Sequence, residues 1–161
     1  MRDSTFEARK KDGDIGECRY LDVITHYGYT LNYHSEGNFP DFDFDVNIKG
    51  IRRLIEVKTC KWRSPNVAVE IKCNGMESGI FSTKAEYFYV YSIEDDKFYC
   101  AKTDDLIEIV RLYDPEIKLN TTNGSNAYVA LILKSGWEYE FGVIDCRDIR
   151  RVHIPPHLAA E

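Results

Sequence analysis

The sequence contains no apolar run approaching the roughly 20 residues that a membrane-spanning helix needs, and its first residues are polar and charged, without the apolar core of a signal peptide. A cytoplasmic protein is expected. The five cysteines (Cys18, Cys60, Cys73, Cys100, Cys146) are scattered, odd in number and never spaced C-x-x-C, which argues against a disulfide framework or a zinc ribbon and for reduced core thiols. Positive charge is not in excess. With a net charge of -6 and a pI of about 5.3, bulk attraction to nucleic acid is not indicated, and any such contact requires a local basic patch. The histidines His26, His34, His153 and His157 lack metal-ligand spacing, and no Ser or Cys stands in a nucleophile motif. Internal repeats and a domain boundary are also lacking.

What is present describes one folded domain. Hydrophobic residues make up 43 % and charged residues 30 %, while the 13 % aromatic share, with eleven Tyr, argues against disorder. A chain of 161 residues buries roughly two thirds of its unfolded surface. We expect a single domain over residues 1–154 and a frayed tail over 155–161.

Ile15, Cys18, Leu21 and Ile24 recur at near-helical spacing, which predicts a helix secure over Asp14–His26, with Ser4 or Thr5 as a cap and Gly13 and Gly16 weakening its first half. YTLNYH reads as a short strand. From Phe39 the chain alternates, with Phe42, Phe44, Val46 and Ile48 on one face and Asp41, Asp43, Asp45 and Asn47 on the other. Lys49-Gly50 supplies a hairpin tip, and IRRLIEVKT returns as a second strand. NVAVEIKC is a third strand, Ser82-Thr83 caps a short helix through KAEY, and YFYVYSI is a central strand. KFYCAK precedes a helix from Thr103 to Tyr113; KLNTTNGSNA reads as a polar loop, and AYVALILK and EYEFGVID as late strands or a hairpin. The class is α/β, with α+β as the alternative: a mixed central sheet flanked by helices.

The hairpin concentrates charge. A two-residue tip at Lys49-Gly50 sets Asp43 opposite Glu56 and Asp41 opposite Lys58; moving the tip by one residue sets Asp45 opposite Glu56 instead. Either register crowds carboxylates that cannot both ionise cheaply, and a hard divalent cation such as Mg²⁺ or Mn²⁺ would remove the repulsion. The aspartates rank Asp43, then Asp45, then Asp41 as ligands.

This stretch resembles the PD-(D/E)xK nuclease superfamily, whose core is an Asp on one strand and Glu-x-Lys on the next. Pro40-Asp41 supplies the PD, and Glu56-Val57-Lys58 supplies ExK. The resemblance extends to Glu17 on the first helix and to the segment SGIFSTKAEY (Ser78 to Tyr87), similar to one in phage and bacterial members. It implies a restriction-endonuclease-like core and a metal-dependent endodeoxyribonuclease. Asp43 or Asp45, Glu56, the Val57 carbonyl and Glu17 would bind metal, and Lys58 would assist the attacking water. Asp41 and Glu70 are accessory candidates, and Lys84, Arg52, Arg53, Lys61 and Arg63 are candidates for contacting DNA. It further implies a homodimer and, by analogy, a preference for branched DNA. The alternatives are a nuclease-like module that binds nucleic acid or protein without cutting, and a sequence-specific restriction-type enzyme.

Overall fold

A computed structural model describes residues 2–35, 41–113, 116–120 and 126–159. Phe39 and Pro40, the first two residues of the expected acidic strand, lie outside them. The elements run α1 (Arg2–Tyr27), β1 (Thr30–His34), β2 (Phe44–Ile48), β3 (Ile51–Cys60), β4 (Asn66–Cys73), β5 (Met76–Glu77), a 3-10 turn (Gly79–Phe81), β6 (Tyr87–Ser92) and β7 (Lys97–Lys102). Then follow α2 (Thr103–Tyr113), β8 (Glu116–Asn120), β9 (Ala127–Leu133), α3 (Lys134–Glu140), β10 (Val143–Asp145) and α4 (Pro156–Ala159). Among the described residues no helix is long and apolar enough to cross a membrane.

The strands form two sheets. The larger has the order β1-β2-β3-β6-β7-β10 and is mixed, because β3 and β6 run parallel while the other neighbours are antiparallel. Its period-two alternation divides the core. Phe44, Val46, Ile55, Val57, Tyr89, Tyr91 and Phe98 face α1, which buries Tyr20, Val23 and Ile24 against them. The Tyr20 ring meets Phe44, Tyr89 and Phe98 edge-on, with centroids 5.0, 5.6 and 5.6 Å away. On the other face Phe88, Val90, Tyr99 and Ala101 pack against Val67, Val69, Ile80, Leu106 and Trp137. These come from the second sheet, order β5-β4-β9-β8, and from the 3-10 turn, α2 and α3. Each fully buried large side chain contributes about 2 kcal/mol.

Four local expectations are corrected. KAEY is not helical: Lys84 N donates to the Asp41 carbonyl at 3.0 Å, and Thr103 N and Oγ1 donate to the carbonyls of Glu86 and Ala85 at 2.9 and 2.7 Å. That backbone is held extended as a strap between β2 and α2. The polar loop begins as β8, which pairs along β9. EYEFGVID is not one strand, because Trp137 must reach the core and stacks edge-on with Phe141 one turn later, at 5.3 Å, so α3 forms before the short β10. The start of the tail winds into α4.

Helix α1 is continuous through Gly13 and Gly16. Gly16 is needed there, because a Cβ would run into Thr59 Oγ1, which instead accepts the Gly16 N–H at 3.2 Å. On the same helix Arg19 is buried and bonds Asp22 at 2.9 Å, Asp96 at 3.0 Å, and the carbonyls of Cys146 and Ile149. Burial pulls the Asp22 carboxyl up, but the N–H groups of His153 and Val152, then the His153 ring and Arg19, outweigh it and leave its pKa below the ordinary value. Such a carboxylate stabilises the fold above its unfolded pKa of about 4, and that contribution is lost as pH falls through the lower folded value.

Replacing Arg19 removes the guanidinium shared by buried Asp22 and part-buried Asp96, leaving Asp22 its His153 and Val152 N–H groups and Asp96 its pair with Arg151. Arg19→Met should cost roughly 3 kcal/mol in urea unfolding at neutral pH, and the deficit should shrink at about pH 3, where Asp22 and Asp96 take up protons. An equal deficit at both pH values would show that packing, not charge, was lost.

Candidate active site

The β2–β3 hairpin turns on two residues with positive φ, Lys49 (52°) and Gly50 (85°), the geometry of a two-residue tip whose twist suits the flanking strands. Ile48 therefore pairs with Ile51, Asp45 with Leu54 and Phe44 with Ile55. The regular ladder ends there: the Asp43 N–H donates to the Ile55 carbonyl, at 3.0 Å, one residue out of register, so Asp43 is not the direct partner of Glu56 that unbroken alternation predicts but bulges beside Glu56 and Val57.

Asp43 Oδ2 accepts the Val57 N–H at 2.7 Å. Lys58 Nζ sits 3.2 Å from Glu56 Oε1, and Thr83 Oγ1 lies 3.2 Å from Glu56 Oε2, so both oxygens of Glu56 are held. Burial first, then the charges of Glu56 and Glu17, push the Asp43 carboxyl up to about 7, against the pull of the Val57 N–H and Lys58. Burial would lower the Lys58 ammonium, but Glu56, then Asp43 and Glu70, outweigh it and hold its pKa above the ordinary value. Lys58 remains protonated at neutral pH.

Glu17 reaches this end of the sheet because Gly16 lets α1 press against β3. Its Oε1 lies 3.0 Å from His34 Nε2, and the His34 ring stacks on Phe44 at 4.3 Å. Two residues to which the sequence assigned no site role thus act on the acidic groups: His34 on Glu17 and Thr83 on Glu56. Thr83 carried a signal, since it stands in the STKAEY segment, but a cap explained it there; nothing in the local pattern pointed to His34.

The other aspartates have separate partners. Asp45 is clamped by Arg52, with Oδ2 2.8 Å from Nη2, and receives Asn32 Nδ2 at 3.1 Å; the Arg52 bonds set its pKa below the ordinary value. Asp41 does not face Lys58. Its carbonyl anchors the strap, and its Oδ1 lies 3.5 Å from Lys84 Nζ. Glu70, on β4, reaches the site through its field on Lys58. Gly79 lies directly against β4, with φ +58° and no room for a Cβ beside the Glu70 carbonyl, so the turn that leads to Thr83 packs on that strand.

The basic candidates do not form one patch. Arg53 lies over the Tyr87 ring at 5.0 Å and bonds Glu86, Lys61 pairs with Asp12 at 3.2 Å, and Arg63 pairs with Glu94 at 3.0 Å. Lys84 and Arg52 project furthest near the carboxylates, with side chains 75 % and 67 % exposed. Among the described residues no three His, Cys, Asp or Glu side chains form a ready-made metal cage. The donors that converge are the carboxylates of Asp43 and Glu56, with Glu17 nearby on α1.

No family model matches the chain, and no curated protein sequence matches it. A solved structure, described as a bacterial homing endonuclease, I-Ssp6803I, matches with a TM-score of 0.50 and 19 % identity, over 62 % of this chain and 72 % of that one. The chain shares a fold with that endonuclease.

A carboxyl raised by burial costs stability when ionised: its folded form keeps the proton between about pH 4 and about pH 7, and stability falls across that interval. Asp43→Asn keeps an acceptor for the Val57 N–H and removes the charge. In chelator at about pH 8 it should be more stable than the native chain by about 2 kcal/mol, and the gain should vanish at about pH 5. Thermal unfolding at the two pH values checks this; a variant less stable at both would contradict it.

Proposed function

We propose that the chain is a metal-dependent endodeoxyribonuclease of the PD-(D/E)xK type. The observation that carries this reading is the convergence at the open end of the hairpin, where Asp43 holds the Val57 N–H beside Glu56 and Lys58 sits on the Glu56 carboxylate. The shared fold with a homing endonuclease supports DNA as the substrate.

The residues fit a hard divalent cation. Their donor atoms are oxygens, and the repulsion that raises Asp43 is the kind a cation relieves. Mg²⁺ is generally held by one or two carboxylates and completes its shell with water and phosphate, which the Asp43 and Glu56 oxygens suit. Asp43, Glu56 and the Val57 carbonyl would hold Mg²⁺ or Mn²⁺, with Glu17 as a further ligand directly or through water. When bound, such a cation lowers the pKa of a coordinated water and offsets charge developing on the phosphate.

The chain's own groups divide the remaining work. Lys58, kept protonated and fixed on Glu56, directs the attacking water or donates to a non-bridging phosphate oxygen. Thr83 restrains the other Glu56 oxygen. Lys84 and Arg52 are the most exposed basic groups beside the site and are assigned to the phosphates on either side; like Arg53, Lys61 and Arg63, each also pairs with a carboxylate, Asp41 and Asp45 respectively. Asp45, neutralised by Arg52, organises the surface beside the site, and Asp41 holds the strap. Cleavage of branched DNA by a homodimer is the finer form of this proposal.

Labelled single-stranded, duplex, flap and four-way-junction DNA incubated with Mg²⁺, Mn²⁺ or EDTA tests it. Cleavage should require metal and fall at least about a hundredfold in Glu56→Ala and in Lys58→Ala. Cutting that persists in EDTA or in both variants would contradict the proposal, and binding without cutting by the native chain would make it a nuclease-like binding module.

A further inference from the structure

The face of the large sheet that carries Asp45 and Glu56 continues onto the edge strand β1. Tyr33 is paired with Asp45, so its side chain leaves the sheet on that same face. The ladder goes on through Ser35, whose N–H donates to the Asp43 carbonyl at 2.8 Å, which places Tyr33 one diagonal step from Asp43. Diagonal neighbours lie about 7–8 Å apart, within reach of an aromatic side chain. The Tyr33 ring is 51 % exposed and meets the Phe42 ring edge-on, with centroids 6.2 Å apart and planes at 80°.

A single exposed tyrosine on a surface needs no special account. Here an aromatic pair adjoins the two crowded carboxylates, and Phe42 immediately precedes Asp43 in the chain. The negative charge next to the pair is also cancelled: Arg52 and Asn32 hold the Asp45 carboxylate at 2.8 and 3.1 Å. Exposed aromatic surface beside neutralised charge suits a nucleobase, whose π-face any aromatic ring accepts whatever the sequence. A base inside a duplex has both faces occupied by its neighbours, so one that stacks on Tyr33 has left the helix or was never in it.

We propose that Tyr33, backed by Phe42, is a stacking platform for an unpaired nucleobase next to the phosphate at Asp43 and Glu56. The position of that phosphate rests on the nuclease reading above. The consequence is substrate class: the strand is taken where it is single, frayed or branched, in preference to the interior of intact duplex.

Fluorescence anisotropy in metal-free buffer tests the platform without turnover. Fluorescein-labelled oligo(dT), an abasic oligomer of the same length and a blunt duplex are titrated with the native chain, Tyr33→Ala and Tyr33→Phe. The native chain should bind oligo(dT) more tightly than the abasic strand. Tyr33→Ala should weaken oligo(dT) binding on the order of tenfold and abolish that difference, while leaving the duplex unaffected and melting like the native chain; Tyr33→Phe should retain it. Equal binding of oligo(dT) and the abasic strand by the native chain, no binding of either, or no effect of Tyr33→Ala would overturn the platform. Selective binding by a chain that cuts no DNA with Mg²⁺ or Mn²⁺ would support the base contact and reject the nuclease reading, whereas cutting without that selectivity would reject the platform alone.

Discussion

The two-residue tip at Lys49 and Gly50 is the constraint on which the rest depends. Because side chains alternate along a strand, slipping this hairpin by one residue would exchange the faces of β2 relative to β3. The register that buries Phe44, Val46, Ile55 and Val57 beneath α1 also brings the chain out of the ladder at Asp43, beside Glu56. Folding and the site therefore have one geometric origin. The apolar face makes the register favourable, and the polar face accepts the charge repulsion that results.

That repulsion is uneven across the molecule. At the hairpin Asp43 is pushed up by burial and by its acidic neighbours, whereas across α1 the Arg19, Asp22 and Asp96 cluster is fully paired and packed. A single helix serves both ends. Gly16 brings Glu17 against the sheet, and Arg19, one turn further, ties the helix to the carbonyls of Cys146 and Ile149 and so to the C-terminal segment. The paired cluster is a stabilising counterpart to a hairpin whose crowded carboxylates cost stability when ionised.

The hairpin was legible because two independent signals agreed, a period of two and a glycine at the tip. Its register was left between two choices, since the alternation of Asp41, Asp43 and Asp45 gives each the same face. The structure separates them through partners that lie outside the hairpin pattern or diagonally across it: Lys84 for Asp41, and Asn32 and Arg52 for Asp45. The strand at Asn66 was legible for the same reason, but its place in a second sheet was not, because pairing with β9 spans about sixty residues of chain. The helix expected at KAEY failed where long-range hydrogen bonds to Asp41 and Thr103 overrode local preference. The helix at Lys134 was missed because Trp137 and Phe141 fit either period until the core is known. Asn74-Gly75 repeats the positive-φ pair of the first tip, at 51° and 81°, and turns β4 into β5.

Calorimetric titration of Mn²⁺ into the metal-free chain, beside Asp43→Asn and Glu56→Gln, tests the central claim that these two carboxylates are crowded together to receive a cation. The account predicts a site in the native chain that weakens by about tenfold or more in either variant, with protons released on binding near neutral pH as Asp43 becomes a ligand. Native-like affinity in both variants, or no binding by the native chain, would contradict it.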